Sequence, residues 1–146
     1  MSRSPLHILT ALAAKDSRLI CGVMSGTSVD AIDVAIVRVR GDGTETRVEL
    51  QHYSETLFPE ELQQLVFTNA DVSTSNVYDL CLLHTAIAHA YADAIRQTCE
   101  EAGMNVGYLD LIGMHGQTMH HIPRAALVAG HHMRASRHQV GDRAAI

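Results

Sequence analysis

The segment from Cys21 to Val39, CGVMSGTSVDAIDVAIVRV, constrains the fold more than any other part of this sequence. Its first apolar run ends at Met24, small polar residues follow, and apolar residues resume from Ile32 to Val39 with a single carboxylate, Asp33. This pattern predicts a strand, a tight polar turn and a second strand. Because almost every side chain of the second strand is apolar on both of its faces, we expect other elements to cover it on both sides.

The polar turn between the two strands is a candidate anion site. Gly26 lets the backbone approach a ligand closely, and Thr27 and Ser28 add hydroxyl groups to the backbone N–H donors. Asp30 and Asp33 could hold a magnesium ion that neutralises a bound phosphate. Serine, threonine, glycine and aspartate are also the residues of ordinary hairpin turns, so composition alone leaves both interpretations open.

Three other chemistries are disfavoured at this turn. A Walker loop ends in Gly-Lys-Ser/Thr at the start of a helix, and no lysine occurs here. The serine-hydrolase elbow has glycine two residues on either side of its serine, whereas Ser25 has Val23 and Thr27 at those positions. A hydrolase that uses Asp30 and Asp33 as a carboxylate pair ranks last, because residues three apart on a strand face opposite sides.

Further regular elements follow the second strand. A third strand predicted from Thr44 to Ser54 completes an antiparallel three-stranded meander. Pro59–Phe67 has the proline and the acids typical of a helix start. Asn76 can cap a long helix that ends near Ala102, where Gly103 supplies the stop. The predicted buried stripe of this helix comprises Val77, Leu80, Cys81, His84, Ile87, Ala88, Tyr91, Ile95 and Thr98.

A second candidate region lies after a short apolar run. Tyr108–Gly113 predicts a buried strand, parallel to a neighbour because a helical crossover precedes it. Ligands of open α/β sheets bind beyond the carboxyl ends of the strands. His115, Gln117 and Thr118 come directly after this run, so they are candidates for contacts with sugar hydroxyls or with a phosphate.

The remainder of the chain is rich in histidine. Pro123–Arg137 is predicted as a hairpin or loop that leads into a strand at 138–141. The adjacent pairs His120-His121 and His131-His132 would point in different directions on a strand, and no acid or cysteine stands at ligand spacing. A dedicated transition-metal centre is therefore disfavoured.

Three strings in this sequence resemble the anhydro-N-acetylmuramic acid kinase family. The residues from Gly22 to Asp33 are similar to the opening hairpin of that family, and Asp110–His121 is similar to its Gly-x-His-Gly-Gln-Thr segment. Gln139–Asp142 resembles the Gln-Ile-Gly-Asp/Glu that follows. The resemblance implies an α/β fold of the actin-like ATPase, ribonuclease H-like class, in which helices flank a mixed sheet that opens with the meander.

The resemblance also implies an activity and a set of site residues. Members of this family are ATP-dependent kinases that open 1,6-anhydro-N-acetylmuramic acid with water and phosphorylate the sugar at carbon 6, in peptidoglycan recycling. The implied cofactors are ATP and Mg²⁺, with Asp30 on the metal. The implied ATP phosphate loop comprises Gly26, Thr27, Ser28, Val29, Asp30, Ala31, Ile32 and Asp33, and the implied sugar or cleft contacts are His115, Gln117 and Thr118.

The sequence departs from the family pattern in two respects. Ala31 stands where the family usually has glycine, and the general base of the family lies beyond Ile146, so no catalytic residue is expected within this chain. The expected organisation is an N-terminal extension at 1–18 and an incomplete N-terminal kinase domain at 19–146, with the second domain absent. Two hypotheses follow: the N-terminal portion of a kinase, inactive by itself, or a non-catalytic remnant that keeps the fold and weak phosphate affinity.

Composition limits the partners of this chain. Its formal net charge of -5 argues against a nucleic-acid surface. No segment approaches the ~20 apolar residues of a membrane-spanning helix. Cys21, Cys81 and Cys99 are widely spaced and are expected to be buried reduced thiols. These features lead us to expect a cytoplasmic protein. The family resemblance implies an amino sugar and ATP as its partners, and a homodimer as an assembly of the full-length enzyme.

Overall fold

The computed structural model describes residues 4–145, so residues 1–3 of the predicted extension and Ile146 lie outside the described part. Three α-helices and eight strands form within that range. In chain order they are α1 (Pro5–Ala13), β1 (Ser17–Ser25), β2 (Ala31–Arg40), β3 (Arg47–Leu57), α2 (Glu60–Ala70), α3 (Val77–Glu101), β4 (Leu111–Met114), β5 (Gln117–Ile122), β6 (Ala126–Val128), β7 (His131–Met133) and β8 (Ser136–Val140).

The main sheet has the strand order β3-β2-β1-β4. The first three strands form the predicted antiparallel meander, in which Ser25 pairs with Ile32 across the polar turn. The fourth strand runs parallel to β1, with Cys21 opposite Ile112, as the helical crossover predicted. Because β1 and β4 are parallel, their carboxyl ends lie at the same edge of the sheet. The turn after β1 and the segment after β4 therefore come together.

Helix α3 covers one face of this sheet. The predicted stripe is correct from Ile87 onward, where Tyr91 and Ile95 pack against the core residues of β1 and β2. It is wrong at Val77, Cys81 and His84, which are exposed because the first turns of α3 border an open groove beside β8. All three cysteines have free thiols. Cys21 and Cys99 are buried as expected, whereas Cys81 is exposed.

The opposite face of the sheet is only partly covered within residues 4–145. Asp33 and Ala35 of β2 are half-buried, and Met24 of β1 is 47% exposed. Helix α1 lies at the far end of this face, where Leu9 and Leu12 share a groove with residues of β1 and β2. The expectation that β2 is covered on both sides is therefore wrong for the described residues, because an apolar pattern encodes a preference for burial and not the element that supplies it.

Several local elements differ from the prediction. Within the expected N-terminal extension, helix α1 forms, and β5, for which no element was predicted, pairs with β8. The strand β4 begins at Leu111 and is half-exposed, because its outer edge has no neighbouring strand in the described chain. Of the two alternatives predicted for 123–137, a hairpin or a loop, the structure forms a hairpin of β6 and β7. None of the described helices combines the length and the apolar character needed to cross a membrane.

Candidate functional site

The polar turn places its hydrophilic groups toward solvent at the carboxyl edge of the sheet. The side chains of Thr27, Ser28 and Asp30 are exposed, whereas Val29 between them is only 2% exposed. The segment Gly26–Asp30, called the phosphate loop below, is therefore neither buried in the core nor a free tip. Its polar residues point outward while one apolar residue anchors it.

Val29 fixes the backbone of the phosphate loop. Its φ of 52° lies in the left-handed region, which is unfavourable for a β-branched residue. The buried side chain in the core compensates for that cost, and the carbonyl of Val29 accepts a hydrogen bond of 2.6 Å from Gln63 Nε2 on α2. The N–H of Val29 donates to the Gly26 carbonyl at 3.2 Å. The loop is thus held by the core and by α2 before any ligand arrives.

Asp30 has the properties of a magnesium ligand. Its Oδ1 accepts hydrogen bonds from Ser28 Oγ at 2.7 Å and from the Ala31 N–H at 3.0 Å. The Ser28 hydroxyl, followed by backbone N–H groups, holds the pKa of this carboxyl below its ordinary value, so the group is ionised at neutral pH. Its Oδ2 takes part in none of the hydrogen bonds found between residues 4 and 145 and remains available to a cation.

A complete metal cage is absent from the described residues, since no three His, Cys, Asp or Glu side chains there are grouped to hold an ion. Magnesium is commonly held by one or two carboxylates together with waters and substrate phosphates, so a single exposed carboxylate such as Asp30 fits this ion.

The other predicted loop residues lie in different surroundings. Ala31 and Ile32 are 7% and 1% exposed, so they can offer a ligand only their backbone. Asp33 faces the open side of the sheet, where Tyr53 Oη donates a hydrogen bond to its Oδ1. That bond raises the pKa of the Tyr53 hydroxyl. Asp33 also borders an open depression of about 680 Å³, together with Met24 and His115.

A buried polar junction joins the phosphate loop to the second candidate region. Ser25 Oγ donates to Gln117 Oε1 at 2.5 Å and lies 2.5 Å from Tyr91 Oη. Gln117 Nε2 donates to the carbonyls of Gly26 and Thr118, each at 3.2 Å. Gln117 is fully buried, so its side chain is committed to contacts within the chain.

The remaining two residues predicted after β4 meet a glutamine from β8. Gln139 Nε2 lies 2.8 Å from His115 Nε2 and 3.3 Å from Thr118 Oγ1. His115 Nδ1 lies 3.1 Å from the carbonyl of Gly116. Gln139 Nε2 also lies 3.0 Å from His115 Nδ1, so one amide group contacts both nitrogens of the ring. Gln139 thus holds the His115 ring beside Thr118.

Two glycines permit this close approach. Gly116 has a φ of +78°, and a Cβ there would lie 2.8 Å from the Val140 carbonyl oxygen. A Cβ at Gly141 would lie 2.9 Å from Met114 Cε and 3.6 Å from Gly116 Cα. A larger residue at Gly116 would force the two segments apart, because the clash is with the backbone. At Gly141 it would displace only the flexible end of Met114, but its φ of +133° would be strained for any residue with a Cβ.

Sequence reasoning missed three members of this arrangement. Gln139 stands in the third recognised string but was not chosen as a site residue, and Ser25 was treated only as part of the turn. Tyr91 was placed in an apolar stripe. A signal for Tyr91 did exist, because a tyrosine amid buried apolar residues needs a hydrogen-bond partner for its hydroxyl.

Comparison with known proteins agrees with the resemblance carried by the segments Gly22–Asp33, Asp110–His121 and Gln139–Asp142. A sequence model described as anhydro-N-acetylmuramic acid kinase matches residues 18–146. A protein of that name from Bacillus anthracis is 42% identical over 105 residues, which are 72% of this chain and 28% of the relative. Another from Caldanaerobacter subterraneus subsp. tengcongensis is 38% identical over 132 residues, or 90% of this chain and 33% of the relative. The chain thus spans about a third of the length of these curated relatives.

Proposed function

Because the chain belongs to the anhydro-N-acetylmuramic acid kinase family, we propose that it supplies the ATP phosphate-binding part of such a kinase. The proposed reaction opens 1,6-anhydro-N-acetylmuramic acid and phosphorylates it in peptidoglycan recycling, on an actin-like ATPase fold. The observation that carries the proposal is the phosphate loop, whose polar groups face solvent at the carboxyl edge of the sheet while Val29 and Gln117 hold it from behind. The free thiols agree with a cytoplasmic location.

Each part of the loop has a proposed role. The backbone N–H groups and the hydroxyls of Thr27 and Ser28 bind and orient the phosphate oxygens of ATP. Asp30 holds Mg²⁺, which when bound neutralises charge on those oxygens. Val29 and Ile32 contribute through their backbone and by anchoring the loop, since both side chains are buried. Phosphoryl transfer depends mainly on positioning, and a loop fixed in advance supplies it.

The segment after β4 is proposed as the sugar side of the site. His115 and Thr118 are the proposed contacts, because they are the less buried of the three residues predicted there. Gln117 is proposed to act by holding Gly26 and Thr118 in place, since both of its amide hydrogens and its oxygen are already used. The proposed general base is not among the described residues, and the resemblance places it after Asp142.

A second candidate function is a non-catalytic remnant that retains weak phosphate affinity. It uses the same phosphate loop, since the exposed Thr27, Ser28 and Asp30 would serve phosphate binding without transfer equally well. Measurements of Mg·ATP binding and of phosphoryl transfer to the sugar separate the two candidates. A remnant would bind Mg·ATP at the phosphate loop without phosphorylating the sugar, either as this chain or as the whole product of its coding region.

The proposal predicts that Asp30→Asn weakens Mg-dependent nucleotide binding. In the ¹⁵N-labelled chain, Mg·ATP should shift the amide signals of Gly26, Thr27 and Ser28 in NMR spectra. Asparagine keeps the size of the side chain but removes its charge. A charged contact is worth about 1.5–3 kcal/mol, so the affinity for Mg·ATP should fall about tenfold or more.

Asp71→Asn is the matched control for this experiment. Asp71 is also exposed, accepts a hydrogen bond of 2.7 Å from the nearby Ser73 hydroxyl, and has a lowered pKa for the same reason, but it lies between α2 and α3. It should leave Mg·ATP binding unchanged. Unchanged affinity in Asp30→Asn would remove the metal role, and the absence of any loop shift with millimolar Mg·ATP would overturn the phosphate loop itself.

A further inference from the structure

The side chain of Tyr91 connects the middle of helix α3 to the phosphate loop. Tyr91 is fully buried, and its Oη lies 2.5 Å from Ser25 Oγ, although the two residues are 66 positions apart in the chain. Ser25 is itself buried and is the last residue of β1. The phenol group therefore reaches the point where the strand ends and the loop begins.

The hydrogen bonds of this junction run in one direction. Ser25 uses its only hydroxyl hydrogen to donate to Gln117 Oε1, so the hydroxyl of Tyr91 must be the donor to Ser25 Oγ. Gln117 then donates both amide hydrogens, one to the Gly26 carbonyl and one to the Thr118 carbonyl. The donors are thus Tyr91, Ser25 and Gln117 in turn, and the carbonyl oxygens of Gly26 and Thr118 are the final acceptors.

We propose that Tyr91 is a positioning residue for nucleotide binding, which acts through Ser25 and Gln117 to fix the Gly26 carbonyl. Burial of Ser25 and Gln117 makes each of these hydrogen bonds costly to lose, because no water can replace the missing partner. The Gly26 carbonyl also accepts the Val29 N–H, so Gln117 fixes the same oxygen that closes the loop. The nucleotide part of this inference rests on the proposed function, whereas the effect on the loop does not.

Helix α3 provides a matched control at Thr98. Thr98 is also fully buried, and its Oγ1 lies 2.5 Å from Ser54 Oγ on β3. It thus joins the same helix to the same sheet by a hydroxyl pair of the same length, but at a strand that does not lead into the phosphate loop. Tyr91→Phe and Thr98→Val each remove one buried hydroxyl and keep nearly the same shape.

Amide hydrogen exchange of the 15.9 kDa chain tests the inference without a ligand. Losing one buried hydrogen bond of about 1.4 kcal/mol should speed exchange at the loop about tenfold in Tyr91→Phe, measured at the Val29 amide that donates to the Gly26 carbonyl. Thr98→Val should leave amide exchange at the loop unchanged. It should nevertheless lower the melting temperature of the chain as much as Tyr91→Phe does. Loop exchange that stays unchanged in Tyr91→Phe, or that rises equally in both variants, would overturn the proposal.

A double variant tests whether the residues act as one chain of contacts. Ser25→Ala interrupts the connection between Tyr91 and Gln117, so adding Tyr91→Phe to it should not speed loop exchange further. If the double variant instead accelerated loop exchange by the product of the two single-variant factors, the inference would be contradicted. The affinity for Mg·ATP should fall with loop exchange in these variants. If the wild-type chain binds no Mg·ATP, the proposed function fails, while the exchange result still decides the role of Tyr91.

Discussion

At the scale of single residues, Gln139 holds the ring of His115 in place. Its Nε2 lies 2.8 Å from His115 Nε2 and 3.0 Å from His115 Nδ1. The same nitrogen lies 3.3 Å from Thr118 Oγ1. One glutamine of β8 therefore contacts both residues of the proposed sugar side of the site.

We predict that Gln139→Leu changes the surroundings of the His115 ring. Leucine has a similar size but no amide group, so the contacts with both ring nitrogens are lost. Long-range ¹H–¹⁵N NMR spectra should show shifted signals for the His115 ring in this variant. Gln97→Leu, at an exposed position of α3, should leave those signals unchanged. Identical His115 signals in Gln139→Leu and in the wild type would contradict the contact.

At the scale of elements, Asp110 fastens the start of β4 to the start of β1. Its N–H donates to the Leu19 carbonyl at 2.8 Å, and its Oδ2 accepts from the Leu19 N–H at 2.8 Å. Lys15 forms an ion pair with Oδ1. This pairing sets the register that brings the carboxyl ends of both strands to the same edge. The Lys15 hydrogen bond, helped by Leu19, lowers the pKa of Asp110 although partial burial opposes the shift.

This lowered pKa predicts a pH-dependent contribution to stability. The contribution is fully present above the ordinary value of 3.8 and is lost as pH falls through the lower value of the folded chain. We expect Asp110→Asn to lower the free energy of unfolding by about 1–2 kcal/mol at neutral pH, and to differ less from the wild type near about pH 3. Urea unfolding at both pH values measures this.

Asp93→Asn is the control for the element-scale prediction. Asp93 pairs with Arg96 on the exposed side of α3, with 76% of its side chain accessible. An exposed pair contributes about 0–1 kcal/mol, so this variant should remain close to the wild type at neutral pH. A loss in Asp110→Asn that is equal at both pH values would mean that the carboxylate charge does not stabilise the pairing of β1 and β4.

At the scale of the whole molecule, the described chain leaves much apolar surface exposed. The edge strand β3 has one unpaired side along its full length, and Val48 and Leu50 are 63% and 61% exposed. The open face of the sheet adds Met24 at 47% and Tyr53 at 50%. Unpaired strand edges and contiguous apolar patches both favour association between chains.

We therefore predict that the chain self-associates as its concentration rises, and that Leu50→Lys shifts the equilibrium toward monomers. A lysine on an edge strand opposes pairing and removes an exposed apolar side chain at little cost to folding. Gln51→Lys adds the same charge at the next exposed position without removing apolar area, so it should have a smaller effect. Sedimentation velocity over a concentration series measures both. A chain that stays monomeric throughout would contradict the prediction.

Local patterns determined much of this protein. The two apolar runs on either side of the small residues Ser25 to Ser28 predicted two strands and a turn, and all three were confirmed. The spacing of Ile87, Tyr91 and Ile95 predicted the buried side of α3, also confirmed. These features follow from the repeat of two residues in a strand and of 3.6 in a helix, which act between neighbours in the chain.

Only the tertiary structure decided which distant side chains meet. The contact between Ser25 and Gln117 joins residues 92 positions apart, and that between His115 and Gln139 joins β8 to the end of β4. No local pattern encodes such pairs, because they depend on how α3 and the strands pack. The same reason explains why Cys81 is exposed despite its place in an apolar stripe: periodicity defines a face of the helix, and packing decides how far along that face the core extends.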